Sequence, residues 1–196
     1  ILQDGMVRPE DVRKFAGRIF DEAQRLITLV SDVIKISQLD EGALPYEKED
    51  VDLYLLAQEI LERLRPQAEK NNVSLRLEGE PTVLYSTKPI LDEVLYNLCD
   101  NAVKYNRKGG SVTVCVKQDY DKIIVMVSDT GIGIPPADRQ RIFERFYRVD
   151  KSHSKEIGGT GLGLSIVKHG ASYLGAEVKV ESTVGAGTTF TLSWEK

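Results

Sequence analysis

The chain has 196 residues, 41% of them hydrophobic, with 30 acidic and 26 basic residues and a formal net charge of -4. That is enough apolar material for one buried domain of roughly 100 to 150 residues plus an appendage, while the interspersed charges leave no broad basic surface to hold a nucleic-acid backbone, which argues against nucleic acid as a primary partner. No run approaches the roughly 18 apolar residues that cross a bilayer, and the opening ILQDGMVRPE lacks the basic-then-apolar order of a signal peptide, so no membrane contact is expected of this stretch.

From Arg8 to about Asp40 the apolar positions Val12, Phe15, Ile19, Ala23, Leu26, Val30 and Val33 recur at three- and four-residue steps, which places one stripe along a long helix. Pro9, Glu10 and Asp11 suit its first turn, and Gly42 with Pro45 ends it. The stripe reads as one face of a helix bundle; packing of the same helix on its own domain is the other reading that periodicity leaves open. Beginning at Ile1, in mid-pattern and without Met, the chain reads as a piece of a longer protein.

Beyond Pro45 the pattern becomes compact and mixed. Tyr46 to Val51 reads as a short strand, Asp52 to Glu69 as a helix, and Val73 to Leu77 as a strand with alternating apolar residues. A second helix runs from about Lys88 to Tyr105 on the core stripe Ile90, Leu91, Val94, Leu95 and Leu98. Ser111 to Lys117 and Lys122 to Ser128 are β-branched and alternating, joined by the polar turn QDYD as a hairpin. A stretch rich in glycine and charge follows from Gly131 to Gly163, a length that in a compact domain usually has a function. Ala176 to Glu181 and Thr188 to Trp194 form two last strands around the turn STVGAG. Cys99 and Cys115 each lie in an apolar periodic segment and read as reduced, buried thiols.

Four clusters carry chemistry. In LDEVLYNLCDNAVKY, Glu93, Asn97 and Asn101 fall at four-residue spacing on one helical face, with Lys104 close by. Carboxamide oxygens suit a hard cation such as Mg²⁺, and the lysine would balance phosphate charge; a solvated helix face is the plainer reading of the same residues. In SDTGIGIPP a strand ends in Asp129 beside Gly131 and Gly133. A carboxylate there would accept a hydrogen bond from the exocyclic amine of adenine, or the run merely marks a turn. IFERFYRVDKSHSKE combines Phe143, Phe146 and Tyr147 with Arg145, Arg148 and Lys151, as a flap closing over a nucleotide would need; a solvated charged loop on an aromatic plug is the alternative. IGGTGLGLSIVKHG places four glycines directly before an apolar helix, where free amides make a phosphate site. It is neither a Walker P-loop nor a dinucleotide fingerprint, because their spacings are absent; a hinge before a packed helix remains open.

These clusters, in this order, resemble the asparagine box, first glycine box, phenylalanine box and second glycine box of bacterial two-component sensor histidine kinases, whose superfamily includes Hsp90, gyrase B and MutL. The resemblance covers nearly the whole chain, and FERFYRVDKS and NLCDNAVKY are similar to the kinase branch. ATP-hydrolysing relatives tend to place a glutamate base where this chain has Asn97.

The resemblance implies an α/β (α+β) fold, a two-layer sandwich of a mixed sheet faced by helices and preceded by one long bundle-type helix. It divides the chain into residues 1–45, the second helix of a dimerisation and phosphoacceptor domain, and residues 46–196, an ATP-binding catalytic domain. Asn101 would bind Mg²⁺ with Asn97 assisting, and Lys104 and Arg148 would reach the phosphates of ATP. Asp129 would read the adenine amine, Gly131 and Gly133 would shape the base pocket, and Tyr105 and Ile134 would flank the nucleoside. Gly159, Thr160, Gly161, Leu162 and Gly163 would form the phosphate cradle with Leu164 packed nearby, and Thr188 would sit near the adenine.

The implied reaction transfers the γ-phosphoryl group of Mg²⁺-ATP to a histidine on a neighbouring helix, for relay to the receiver domain of a response regulator. It also implies a homodimer in the intact kinase, a cytoplasmic location for this part, and a parent that is an integral membrane sensor. The acceptor histidine should precede an acidic residue on the preceding helix, and His153 and His169 have no such context. No catalytic residue and no self-phosphorylation are therefore expected here. Two rival readings are an ATP-hydrolysing conformational machine, which steady phosphate release would reveal, and a dimerisation module that has lost its nucleotide, which calorimetry would reveal.

Overall fold

The computed structural model describes residues 8–41, 45–149 and 160–196; Gly42, Lys151, His153 and Gly159 lie outside them. Helix α1 runs from Pro9 to Glu41, with Glu10 and Asp11 in its first turn beside the positive helix end. Its 33 residues extend about 50 Å at 1.5 Å per residue. Among the described residues the expected stripe finds no cover: Ile19, Leu26, Val30 and Val33 are exposed. The contacts that the described residues make with α1 fall on its carboxy-terminal part, through a different face. Ile36 is buried with Leu162 and Ile166, Leu29 packs beside them, and Leu39 joins the main core.

Strand β1 (Glu49–Asp52) leads into α2 (Leu53–Lys70). Asp52 makes the junction, because its carboxylate accepts hydrogen bonds from the amides of Tyr54 and Leu55 at 2.9 and 3.1 Å, satisfying donors that a helix start leaves open. Strands β2 (Ser74–Gly79) and β3 (Val83–Ser86) precede α3 (Lys88–Lys104), which Pro89 helps to start. Strand β3 was not expected. It is four residues long and pairs antiparallel with β1 in a separate two-stranded ribbon.

The main sheet is mixed, with strand order β2-β4-β5-β7-β6. The hairpin β4 (Ser111–Asp119) and β5 (Lys122–Asp129) forms its centre, and β2 joins β4 in parallel. Helix α4 (Gly163–Tyr173) and the pair β6 (Glu177–Thr183) and β7 (Gly187–Glu195) complete it. The two-residue period sorts the faces: Val112, Val114, Val116, Ile123, Val125, Val127, Phe190, Leu192 and Trp194 are buried against the helices, while Thr113, Cys115, Met126 and Thr191 are half-buried on the other side. This is the expected two-layer sandwich. Helix α3 enters the core through Leu91, Val94, Leu95, Leu98 and Cys99, all fully buried. Cys99 is an unpaired thiol whose burial pushes its pKa up to about 12. No helix among the described residues is long and apolar enough to cross a membrane.

Candidate functional site

A cavity of about 810 Å³ opens between α3, the end of β5, the β5–α4 connection, the start of α4 and the middle of α1. Its volume falls in the range of sites that enclose cofactor-sized ligands. Helix α3 contributes Asn97, Asn101 and Lys104 to its wall, with Tyr105 directly after its end, because the apolar stripe that packs on the sheet leaves this polar face turned toward the opening.

The two asparagines differ in how they are held. Asn97 donates its amide to the Glu93 carbonyl at 2.9 Å, which leaves its Oδ1 directed at the start of α4: a Cβ on Gly163 would lie 2.8 Å from that oxygen. Asn101 lines the cavity, and among the described residues no hydrogen bond engages its carboxamide. Asn101 is half-buried, so its carboxamide is open to water or to a ligand in the cavity. Lys104 is not idle, since it pairs with Asp100 one turn earlier, and Asp100 also accepts from Gln67 Nε2 at 3.0 Å.

At the other end stands Asp129, the last residue of β5. Its Oδ1 accepts from the Gly131 amide at 2.7 Å and the Thr188 amide at 3.3 Å. Oδ2 has no partner among the described residues and is the oxygen left for a ligand. Burial raises the pKa of this carboxyl and outweighs the two amides, which lower it. Gly133 lines the same end with φ of +72°, and a Cβ there would lie 2.2 Å from the Thr183 carbonyl oxygen, so only glycine fits. Ile134 and Thr188 also line the cavity. Gly131 acts instead through its amide and is not part of the lining.

The connection after β5 divides between core and lid. Phe143 packs edge-on against Phe190, with ring centroids 6.3 Å apart and planes at 87°. Tyr147 donates its hydroxyl to Asp138 and carries Arg141 over its ring at 4.3 Å. Phe146 is exposed, and its amide donates to the Gly161 carbonyl at 2.9 Å, which ties the aromatic segment to the second glycine run. Arg148 lines the cavity, whereas Arg145 reaches Asp40 of α1 at 2.6 Å.

Of the second glycine run, Thr160, Gly161, Gly163 and Leu164 line the cavity. Leu162 does not: its side chain is fully buried with Ile36 and Ile166, so its contact is with α1. The Thr160 hydroxyl donates to Asp32 Oδ2 at 3.0 Å. Asp32, with Arg25 and Thr28, brings α1 into the cavity wall, a contribution that went unread in the sequence. Burial raises the Asp32 pKa, opposed by the Thr160 hydroxyl and by Lys35 and Lys104. The available signal was Leu29, Ile36 and Leu39, apolar residues lying off the long stripe. His169 contacts Asp40 through Nδ1 and does not line the cavity.

Comparison with known proteins adds three findings. Residues 87–196 match the family model described as histidine kinase-, DNA gyrase B-, and HSP90-like ATPase. The sensor-like histidine kinase SenX3 of Mycobacterium tuberculosis is 36% identical over 94% of this chain and 45% of its own length, so the chain spans less than half of that relative. Among solved structures, the mycobacterial sensor histidine kinase MprB superposes with a TM-score of 0.66 at 29% identity, covering 76% of this chain and 97% of that one. Full-length ShkA, solved in complex with AMPPNP, superposes with a TM-score of 0.79 at 27% identity, covering 92% of this chain and 38% of that one.

Proposed function

The chain belongs to the histidine kinase-, DNA gyrase B- and HSP90-like ATPase family, on its sensor histidine kinase branch, and from that premise we propose that the cavity binds Mg²⁺-ATP for phosphoryl transfer to a histidine. The observation that carries this reading is the pairing in one cavity of two acceptors that have no partner among the described residues. Asp129 offers Oδ2 at a strand end, and Asn101 offers its carboxamide on α3. The first suits the adenine amine. The second, with Asn97, suits a hard cation that prefers oxygen ligands and retains water and phosphate oxygens in its remaining positions.

In this reading the phosphates lie toward Thr160, Gly161 and Gly163, where the amides at the start of α4 are available to anions. Arg148 adds positive charge from the lid, and Lys104 adds it from α3 once Asp100 shares it. Mg²⁺ would be held by Asn101 and Asn97 and would supply charge neutralisation at the phosphates. The chain's own contribution is positioning, which is most of what phosphoryl transfer asks of a protein. An imidazole nitrogen attacks the γ-phosphorus, the bond to the β-phosphate oxygen breaks, and ADP leaves.

The acceptor is a histidine of another helix, because His169 is engaged with Asp40 outside the cavity and His153 lacks the acidic neighbour of an acceptor. Helix α1 serves as the second helix of a dimerisation domain within residues 1–45, and its exposed stripe supports that role. The phosphoryl group then passes to an aspartate of a response regulator's receiver domain. The parent acts as a homodimeric membrane sensor with this part on the cytoplasmic side. Asn97, in place of a glutamate base, disfavours water as the acceptor and so disfavours the hydrolytic machine.

Calorimetry with Mg²⁺ and ADP tests the site: saturable binding is expected, with Asn101→Ala losing its dependence on Mg²⁺. Incubation with γ-labelled ATP tests the acceptor: this chain alone should retain no stable label. Indifference to ADP would defeat the nucleotide assignment, and label on histidine would defeat the acceptor assignment.

A further inference from the structure

A second layer of hydrogen bonds lies behind the adenine end of the cavity and centres on Ser182, a residue of β6 that is 8% exposed. Its hydroxyl has three neighbours. The Ile134 amide donates to Ser182 Oγ at 2.7 Å, the Gly187 carbonyl accepts from it at 3.0 Å, and Thr188 Oγ1 lies 2.9 Å away. A serine hydroxyl has one proton and two lone pairs. The Gly187 carbonyl can only accept and the Ile134 amide can only donate. The Ser182 proton therefore goes to Gly187, and in the hydroxyl–hydroxyl contact Thr188 is the donor. Reversing that contact would take the proton from a carbonyl in a buried setting, where a missing partner is costly.

The consequence falls on Thr188, which is 6% exposed and lines the cavity. With its proton committed to Ser182, its oxygen has only lone pairs to offer a ligand. It stands in register with Asp129 across β5 and β7 and donates its amide to the Asp129 carboxylate, so the pocket presents two acceptors side by side. An amino group on a purine ring meets both favourably, whereas an oxo group sets lone pairs against lone pairs. We infer that Ser182 is a specificity-determining residue: by holding the Thr188 hydroxyl as an acceptor beside Asp129, it makes the pocket select 6-amino over 6-oxo purine nucleotides. The inference rests on the nucleotide reading of the cavity and assigns Ser182 an action through Thr188 rather than contact with the base.

The test is calorimetry of the full chain with Mg²⁺ and either ADP or IDP, which differ in the 6-amino against the 6-oxo group and in the proton that the 6-oxo ring carries at N1; because the N1 proton is common to every variant, the quantity read is the change in the ADP-to-IDP ratio between variants. The unsubstituted chain should prefer ADP. Ser182→Ala releases the Thr188 proton to donate to the oxo group, and the ADP-to-IDP preference should fall about fivefold, the worth of one neutral hydrogen bond. Ser182→Thr, which keeps the hydroxyl, should retain the preference. Thr188→Val removes the acceptor and should lower the preference by itself, and in that background Ser182→Ala should change the ratio no further; if Ser182→Ala does not fold, Ser182→Cys, whose sulfur is a much weaker acceptor for the Thr188 proton, should lower the preference in its place, and an unchanged preference there overturns the inference. A Ser182→Ala protein that loses affinity for both nucleotides in equal proportion overturns the inference and makes the serine a structural clamp. Absence of ADP binding by the unsubstituted chain defeats the nucleotide reading instead.

Discussion

Helix α1 and helix α3 are both amphipathic, yet they meet opposite fates in the folded chain. The apolar stripe of α3 is consumed by the sheet, with Leu91, Val94, Leu95 and Leu98 at most 1% exposed. Its polar face is thereby aimed at the cavity. The stripe of α1 faces outward, with Leu26 at 52% and Val30 at 54% exposure, and the described residues fasten the helix by its last turns. Periodicity alone says that a helix has an apolar face. Whether the chain itself covers that face is decided by topology.

The contrast is sharpest in stability. Leu98→Ala opens a cavity in the closed core and should cost about 2–5 kcal/mol, read by urea or thermal unfolding. Val30→Ala removes a side chain that touches little and trades Val for a better helix former, so the change should stay within about 0.5 kcal/mol. A Val30→Ala loss as large as that of Leu98→Ala, and dependent on protein concentration, would break the contrast. It would show that a second copy already covers the stripe in solution.

How much of this was legible from the residues follows the same division. Helices α2 and α3 and the β4–β5 hairpin were readable because each is long enough to show its period and is covered by this chain. Strand β3 was not, since VLYS is too short to display alternation and its partner β1 is 31 to 37 positions away in the register. Asn97, Asn101, Asp129 and the glycines before α4 were readable as a set because their residue types are poor choices for a packed interior. Ser182 was not, because a buried serine on an edge strand looks like any solvated one until its three partners are known. The Lys104–Asp100 pair has the i, i+4 spacing of a helical ion pair, a spacing that is equally compatible with a lysine directed at phosphate. The cavity-facing side of α1, around Asp32, depended on which of two apolar stripes the domain would use.

A middle-sized effect is expected at Asp129. Both backbone amides donate to one of its oxygens, so an asparagine must give its only oxygen to them and turn its amide donors toward the cavity. Asp129→Asn should therefore lower ADP affinity roughly 10- to 100-fold, the range for a hydrogen bond to a charged group. The pH dependence has a defined sign. Burial places the pKa above the usual 3.8, so as pH falls the carboxyl gains its proton earlier than an exposed aspartate, and ADP binding should weaken from that higher pH downward. Through linkage the same shift acts oppositely on the unliganded fold: Asp129's contribution is most favourable below the unfolded pKa and declines as pH rises through the folded pKa. A pH profile of ADP affinity unchanged by Asp129→Asn would remove Asp129 from the base site.

The smallest effect belongs to the fastening of α1. Asp40 holds Arg145 on one carboxylate oxygen and His169 on the other, joining α1 to both the lid segment and α4. These are surface contacts, with side-chain exposures of 41% for Asp40 and 49% for Arg145, so solvent screening limits their worth. Asp40→Asn should change global stability by less than about 1 kcal/mol while loosening the end of α1 locally, because it leaves the apolar contacts of Ile36, Leu29 and Leu39 with the Thr160–Asp32 hydrogen bond and the Lys35–Glu93 ion pair to hold it. Hydrogen exchange along Asp32 to Glu41 should accelerate in the variant, and 1 M salt should bring the unsubstituted protein toward the same rates, as screening at that ionic strength acts within about 3 Å. Exchange that ignores both the substitution and the salt would mean that the Asp40 contacts do not help to dock the helix. The same experiment with Ile36→Ala would then carry the larger share of the effect.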